Sequence, residues 1–161
     1  DGWLPIFPSA RSLVGGTSLL AQGASRSGRS MDDFEIAPMI LTAISDDDPQ
    51  GVRNLARAHI AFYVGGMGTF YANLLTRYGY GDEVERIARE WKKPRRAGRL
   101  AAAEAVTDEM LDAMTMVGNG RHVFSRIDEY RDAGVTLPIV AFPFGADKAI
   151  MSQTIEALGA R

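Results

Sequence analysis

The stretch Phe34–Ile44, with the sequence FEIAPMILTAI, decides the fold of this chain. Its apolar residues follow one another almost without interruption, whereas a strand with one face in water alternates apolar and polar residues. A near-continuous apolar run is typical of a parallel strand covered on both faces. The acidic turn Ser45–Pro49 follows it, and such a turn favours the start of a helix because carboxylates complement the positive end of the helix dipole. The stretch therefore predicts a β-strand that leads directly into a helix.

Two further apolar stretches predict strands, Asp1–Phe7 (DGWLPIF) and Val135–Phe144 (VTLPIVAFPF). Amphipathic segments lie between the three strands and after the last one. Their periodicity predicts helices over residues 10–26, 49–64, 69–78, 82–93, 107–117, 121–133 and 147–158. Strands separated by helices imply right-handed parallel crossovers. The chain is therefore predicted to be an α/β protein.

The number of strands indicates what kind of α/β fold this is. A parallel sheet of three strands leaves two open edges, and a complete (β/α)8 barrel takes about 250 residues. The 161 residues therefore predict a single domain over 1–161 that is part of a TIM barrel, with about three β/α units and a helical insertion at about 65–117. Asp1 stands where a Met would begin a protein, and the first strand is already under way there, so we expect more chain upstream.

Composition excludes several classes of function. Eighteen Lys and Arg against twenty Asp and Glu give a net charge of −2, which argues against a nucleic-acid partner. The absence of cysteine excludes disulfide scaffolds, zinc–thiolate sites and cysteine nucleophiles. His59 and His122 are too far apart to form a metal-binding pair, so no metal is expected. No apolar run reaches the ~20 residues of a membrane span, and no signal peptide opens the chain. We expect a cytoplasmic protein with no membrane partner.

A series of short motifs carries a family resemblance that runs through almost the whole chain in order. The chain resembles the luciferase-like monooxygenase family, and within it the branch of oxidoreductases that use the deazaflavin coenzyme F420. The motifs are DGWLP at 1–5, GRSMDDFEIAP at 28–38, YVGGMG at 63–68, FYANL at 70–74, RYGY at 77–80 and YRDAGVT at 130–136.

The resemblance implies a function as well as a fold. It implies that the chain is the C-terminal part of a luciferase-like (β/α)8 barrel, and that the enzyme transfers hydride between F420 and a small organic substrate, with FMN as the alternative cofactor. The family's acid/base residues come largely from earlier strands, so no catalytic residue is assigned and the isolated chain is expected to be inactive. The expected partner is a second copy or the missing N-terminal half. The alternative is a non-catalytic, truncated relative that acts as a subunit or association module.

Five residues are candidates for cofactor binding. Barrel chemistry takes place at the carboxyl ends of the strands. The aromatic residues Trp3, Phe7 and Phe142 could form a dry wall for a flat flavin-type ring, or they could simply pack in the core or at its rim. Gly118 and Gly120 precede a helix start whose free N–H groups favour a phosphate. The alternative is that Gly118 only ends the preceding helix.

Three other features are interpreted as structural. His59 lies on the apolar stripe of its helix and is expected to be a packed, hydrogen-bonded histidine. The glycines of Gly65–Gly68 are expected to permit a tight turn between helices. The consecutive carboxylates Asp46–Asp48 are expected to be a solvated helix start rather than a metal site.

Overall fold

All strands of the protein are short and run parallel. The computed structural model describes residues 1–160, with Arg95 described by its backbone alone; Arg161, the last residue of the predicted domain, lies outside the described residues. The strands are β1 (Gly2–Trp3), β2 (Glu35–Ile36), β3 (Met39–Ile44), β4 (Thr115–Gly118) and β5 (Ile139–Ala141).

The helices lie close to their predicted positions, except that the helix over Arg95–Glu104 was not predicted. They are α1 (Ala10–Arg26), α2 (Pro49–Gly66), α3 (Thr69–Arg77), α4 (Gly81–Trp91), α5 (Arg95–Glu104), α6 (Asp108–Met114), α7 (Gly120–Asp132) and α8 (Lys148–Gly159). At the starts of five of these helices, a side-chain oxygen accepts a hydrogen bond from a backbone N–H group. The residues that supply these oxygens are Ser9, Asp48, Thr107, Asn119 and Asp147. Such caps satisfy N–H groups that the first helical turn leaves free. Within residues 1–160, none of the helices is both long and apolar enough to span a bilayer.

The three strands predicted from the sequence lie side by side in the sheet, in the same order as along the chain. The Met39 N–H donates to the Pro5 carbonyl at 3.0 Å, and the Ile139 N–H donates to the Pro38 carbonyl at 2.9 Å. Because successive residues of a strand direct their backbone groups to opposite edges, β1 and β5 lie on opposite edges of the central strand. The central strand itself is divided into β2 and β3 at Ala37 and Pro38. The three predicted strands thus form one arc of parallel strands, as a partial barrel requires.

One prediction of secondary structure is wrong. The helix predicted over 107–117 ends at Met114, and Thr115–Gly118 form strand β4 beside the end of β3. The Ser45 N–H donates to the Gly118 carbonyl at 3.0 Å. All four residues of β4 are buried, so they gain more from pairing with β3 than from one further helical turn.

The two faces of the sheet pack against different sets of helices. Ile40 and Ile44 face the first set, where they pack with residues of α1 and α7. Leu41 and Ala43 face the other way and pack with α2 and the helices that follow it. This alternation follows from the period of two of a β-strand. The carboxyl-terminal part of β3 is therefore buried on both faces, as its apolar sequence predicts.

The helices α3 to α6 fall within the predicted insertion and are packed against α2. The glycines Gly65 and Gly66 belong to the last turn of α2, where the ring of Trp91 lies directly on them. Among the glycines of Gly65–Gly68, Gly68 is the one with a positive φ, 76°, which a turn requires. The glycine-rich motif therefore serves mainly as a flat surface for Trp91, and its last glycine makes the turn. That residues 1–161 form a single domain stays a prediction.

Candidate functional site

A cluster of aromatic rings lies at the carboxyl ends of β1 and β5. Phe7 follows β1 in the chain, and Phe144 follows β5. The remaining rings come from α2 and α3, which pack over the same end of the sheet. The aromatic cluster consists of Phe7, His59, Phe62, Tyr63, Tyr71 and Phe144.

Three rings of the aromatic cluster are nearly parallel, and Phe144 lies over His59 with Tyr63 beside them. The ring centroids of His59 and Phe144 are 3.9 Å apart with an interplanar angle of 19°, and those of His59 and Tyr63 are 5.0 Å apart at 6°. Phe7 meets Tyr63 edge-on at 5.1 Å. Parallel-offset and edge-on arrangements are those that the charge distribution of aromatic rings favours.

His59 is the polar centre of the aromatic cluster. Its Nδ1 accepts a hydrogen bond from the Phe144 backbone N–H at 3.1 Å. A nitrogen that accepts cannot carry the proton, so the neutral ring carries it on Nε2. Burial lowers the pKa of His59 to about 4. His59 is thus the packed, hydrogen-bonded histidine that the sequence predicts. Its ring is neutral, and it joins α2 to the segment after β5.

Phe7 enters the aromatic cluster through an unusual backbone conformation. Its φ is +50°, in the left-handed region, which costs a residue other than glycine about 1–3 kcal/mol. Ser9 follows two residues later and caps α1, with its hydroxyl accepting from the Ser12 N–H at 3.0 Å. The chain therefore turns sharply from β1 into α1, and the turn directs the Phe7 ring, which is buried, towards Tyr63 and Tyr71.

A small apolar cavity opens beside the aromatic cluster. Its volume is about 100 Å³, and Phe7, His59 and Tyr63 line it together with Ile6, Met39, Leu41 and Ala141. Binding pockets for small molecules usually measure about 300–1,000 Å³. These residues fit one flat, apolar side of a tricyclic ring, and they are too few to enclose it. They form one wall of a site.

The structure separates the predicted aromatic wall into two parts. Phe7 lines the cavity, and the half-buried Phe142 lies directly after β5, two residues before Phe144. Trp3 pairs with Ile36 on the opposite face of the sheet, where its ring lies against Gly16 of α1. Side-chain alternation alone would put Trp3 and Phe7 on the same face, and the left-handed conformation of Phe7 is what turns its ring to the other one. The assignment of Trp3 to the cofactor wall has no geometric support.

The predicted phosphate position at the start of α7 already holds a carboxylate. The Gly120 N–H donates to Asp46 Oδ1 at 2.9 Å, and the His122 N–H donates to Asn119 Oδ1 at 2.9 Å. Gly118 has φ of 147°, and its carbonyl accepts from Ser45. Asp46 is thus more than a solvated helix start, because it ties the end of β3 to α7. Phosphate binding by Gly118 and Gly120 stays a prediction.

Sequence reasoning missed the ring neighbours that surround Phe7. Tyr63 stands four residues after His59, a spacing that puts both on one face of α2, so this pair could have been found. Tyr71 comes from a distant part of the chain and has no such signal, whereas Phe144 stands at the end of the predicted strand Val135–Phe144 and shares the signal of Phe7. In residues 1–160, no three His, Cys, Asp or Glu side chains come together in a way that could hold a metal ion.

Comparison with curated proteins finds relatives of one kind. The chain is 34% identical over 146 residues to a Mycobacterium tuberculosis protein named as a coenzyme F420-dependent oxidoreductase, covering 87% of this chain and 41% of that protein. It is 32% identical to the 5,10-methylenetetrahydromethanopterin reductase of Archaeoglobus fulgidus, covering 83% of this chain and 40% of the relative. The chain thus spans about two fifths of the length of these relatives.

Structure and family comparisons agree with the fold described above. The coenzyme F420-dependent tetrahydromethanopterin reductase of Methanopyrus kandleri superposes with a TM-score of 0.79 at 26% identity, over 99% of this chain and 43% of that structure. The predicted fold class, part of a luciferase-like TIM barrel, is confirmed. The family of luciferase-like monooxygenases matches residues 1–137. This chain therefore belongs to the luciferase-like monooxygenase family.

Proposed function

We propose that this chain is part of a coenzyme F420-dependent oxidoreductase that transfers hydride between the deazaflavin and a small organic substrate. The observation that carries the proposal is the aromatic cluster at the carboxyl ends of β1 and β5, the end of the sheet at which barrel enzymes work. The names of the relatives, which are F420-dependent or methylenetetrahydromethanopterin reductases, support the choice of cofactor.

The residues of this chain contribute surface and order rather than acid/base chemistry. A bound F420 supplies the hydride chemistry itself. Phe7, Tyr63 and Leu41 keep water away from one side of the cavity, and a dry, fixed surface favours a defined approach of two reactants. The neutral His59 adds no charge there at neutral pH. We assign no catalytic residue within 1–161.

Cofactor titration of the full-length protein tests this proposal. Oxidised F420 is fluorescent, so its binding can be followed by quenching, while bound FMN would be seen by absorbance after purification. We expect F420 to bind and FMN to be absent. Phe7→Leu is expected to weaken F420 binding about 2- to 10-fold, because edge and stacking contacts of an aromatic ring contribute about 0.5–1.5 kcal/mol.

The matched control is Phe124→Leu, since Phe124 packs in the core on the opposite face of the sheet. It should leave F420 affinity unchanged. Failure of the wild-type protein to bind either cofactor would remove the proposal. Equal loss of affinity in both variants would show that general destabilisation, not the aromatic cluster, controls binding.

A second candidate function is association without catalysis. Leu4, Ile6 and Met39 are exposed on the face of the sheet that also carries Leu41. Exposed apolar patches of this kind mark surfaces that another chain covers. A second copy, or the other strands of a barrel, would bury them.

A further inference from the structure

Phe144 is an aromatic side chain that is held firmly and yet exposed. It retains 54% of its accessible surface. One face of its ring is stacked on His59, and the rings of Phe62 and Phe144 are nearly perpendicular with their centroids 5.6 Å apart. Its backbone N–H is bonded to His59 Nδ1. The protein thus holds this ring in place while more than half of the residue stays exposed to solvent.

The next residue helps to fix the position of this ring. Gly145 has φ of 85°, a conformation that favours glycine, and a Cβ there would come within 3.2 Å of Leu55. The chain therefore turns at Gly145, which lies close against Leu55 of α2. The turn leaves the ring at the rim of the aromatic cluster, above the carboxyl end of β5.

We propose that Phe144 is a stacking platform for a planar heteroaromatic ring, and that His59 is the positioning residue which holds the platform in place. This inference rests on the proposed function, since it places the platform at the working end of the barrel. The Phe144 ring already lies over the His59 ring at 3.9 Å, with the nearly parallel Tyr63 ring beside them, so a further flat ring on Phe144 would extend the pair into a stack of three. The ring could belong to the deazaflavin or to a heteroaromatic substrate, because each of these would present a flat π surface.

His59 suits the positioning role because of its hydrogen bond as well as its flat ring. The neutral imidazole accepts from the Phe144 N–H and stacks on the Phe144 ring with the same side chain. An aliphatic residue would fill the space but accept no hydrogen bond. A glutamine would keep an acceptor oxygen but lose the ring. Substitution by leucine and by glutamine therefore separates the contribution of the hydrogen bond from that of the flat ring.

Ligand titrations of the full-length protein test the platform. Oxidised F420 and 6-methylpterin, a free bicyclic ring, are titrated separately against wild type, Phe144→Leu and Phe144→Tyr. We expect Phe144→Leu to weaken one ligand about 2- to 10-fold, the effect of an aromatic stack, and Phe144→Tyr to bind as wild type. Weaker F420 binding alone assigns the platform to the cofactor, and weaker pterin binding alone assigns it to the substrate. Unchanged binding of both overturns the proposal.

Failure of the proposed function is distinguishable from failure of this inference. If wild type binds no F420 and no pterin, the proposed function fails and the platform with it. If wild type binds F420 and Phe144→Leu binds it and the pterin equally well, only the platform fails. Tryptophan emission from Phe144→Trp gives a readout that is independent of activity, because stacking of a ligand on the new indole should quench it beyond the change seen in wild type.

The role of His59 is tested by combining substitutions. Because His59 is proposed to act through Phe144, His59→Leu should weaken binding of the same ligand, and the double variant with Phe144→Leu should bind no more weakly than Phe144→Leu alone. His59→Gln should recover part of the loss. Thermal unfolding of each variant identifies any that fail to fold. Additive losses in the double variant, or no recovery by glutamine, would overturn the positioning role.

Discussion

At the scale of single residues, the protonation of His59 is linked to the stability of the fold. Burial lowers its pKa in the folded state to about 4 from the ordinary value of 6.5. Between these two pH values the unfolded chain binds a proton that the folded chain does not, so the free energy of unfolding rises with pH. The contribution is complete above about pH 6.5 and is lost as the pH falls towards about 4. Urea denaturation at a series of pH values measures it.

The control for this prediction is His59→Gln, which has no titrating group at the same position. All other His, Asp and Glu residues are common to both proteins, so their titration cancels in the difference between the two stability curves. We expect the difference to change between pH 6.5 and 4 and to be flat above that window. A difference that is constant across the whole range would contradict the burial of a neutral imidazole.

Gly65 gives a second prediction at this scale, in which two effects oppose each other. Alanine has the higher helix propensity, by about 1 kcal/mol in a helix interior. A Cβ on Gly65 would overlap the ring of Trp91, which also carries Arg99 stacked at 3.5 Å on its ring. We expect steric overlap to win and Gly65→Ala to destabilise the fold by about 1–3 kcal/mol in urea denaturation.

Gly15 is the matched control for this substitution. It lies inside α1, and no atom lies within 4 Å of the Cβ position. Gly15→Ala should therefore stabilise the protein by up to about 1 kcal/mol, through helix propensity alone. If both variants changed stability in the same direction, Trp91 would not be packed on α2 as described.

At the scale of secondary-structure elements, Thr154 completes the hydrogen bonding of β3. The strand β5 ends at Ala141, so the Ile44 N–H lies beyond its reach. The buried hydroxyl of Thr154, on α8, accepts from that N–H at 2.9 Å and donates to the Ile150 carbonyl at 2.7 Å. Thr154→Val keeps the shape but leaves a buried N–H without a partner, at a cost of about 1–3 kcal/mol.

Two measurements check this prediction. Urea denaturation should show the loss of stability in Thr154→Val and a smaller loss in Thr154→Ser, which keeps the hydroxyl. Hydrogen exchange of the Ile44 amide should become faster in the valine variant only. A serine variant that is less stable than the valine variant would show that the methyl group, rather than the hydroxyl, is what Thr154 contributes.

The elements were predictable from the sequence to the extent that local patterns encode them. The continuous apolar run and the acidic turn after it correctly predict β3 and α2. Strand β4 was not predictable, because Met110, Met114 and Val117 continue a helical spacing. The pairing that forms the strand comes from β3, which is distant in the chain. A four-residue strand carries too little local signal to outweigh that pattern.

The candidate site likewise contains residues that a local pattern predicts and residues that only the folded chain brings together. Phe7 was predictable from its place after a strand. The different position of Trp3 was not, because a continuous apolar run does not reveal which face each residue takes. The hydrogen bond between His59 and Phe144 joins residues 85 positions apart, and nothing in a single sequence connects them.

At the scale of the whole molecule, the sheet has one face that the chain covers only in part. Towards the carboxyl end of β3, α2 and its neighbours bury Leu41. Towards the amino end, Leu4 is 53% exposed, Ile6 43% and Met39 36%. Ile6 and Met39 are bridge partners, so the exposed side chains form one continuous patch. In a closed barrel this face points inwards, where side chains fill the interior.

Self-association of the 161-residue polypeptide follows from that patch. Removing apolar surface from water contributes roughly 25 cal/mol per Å², so two copies gain by covering it together. We expect the polypeptide to elute above its monomer mass in size-exclusion chromatography with light scattering, and the double variant Ile6→Ser/Met39→Ser to shift towards the monomer. Leu19→Ser, which changes an exposed apolar residue on α1 away from the patch, should not shift it. A wild-type monomer that binds no hydrophobic dye would show that the face needs no partner, and the association candidate would then lose its support.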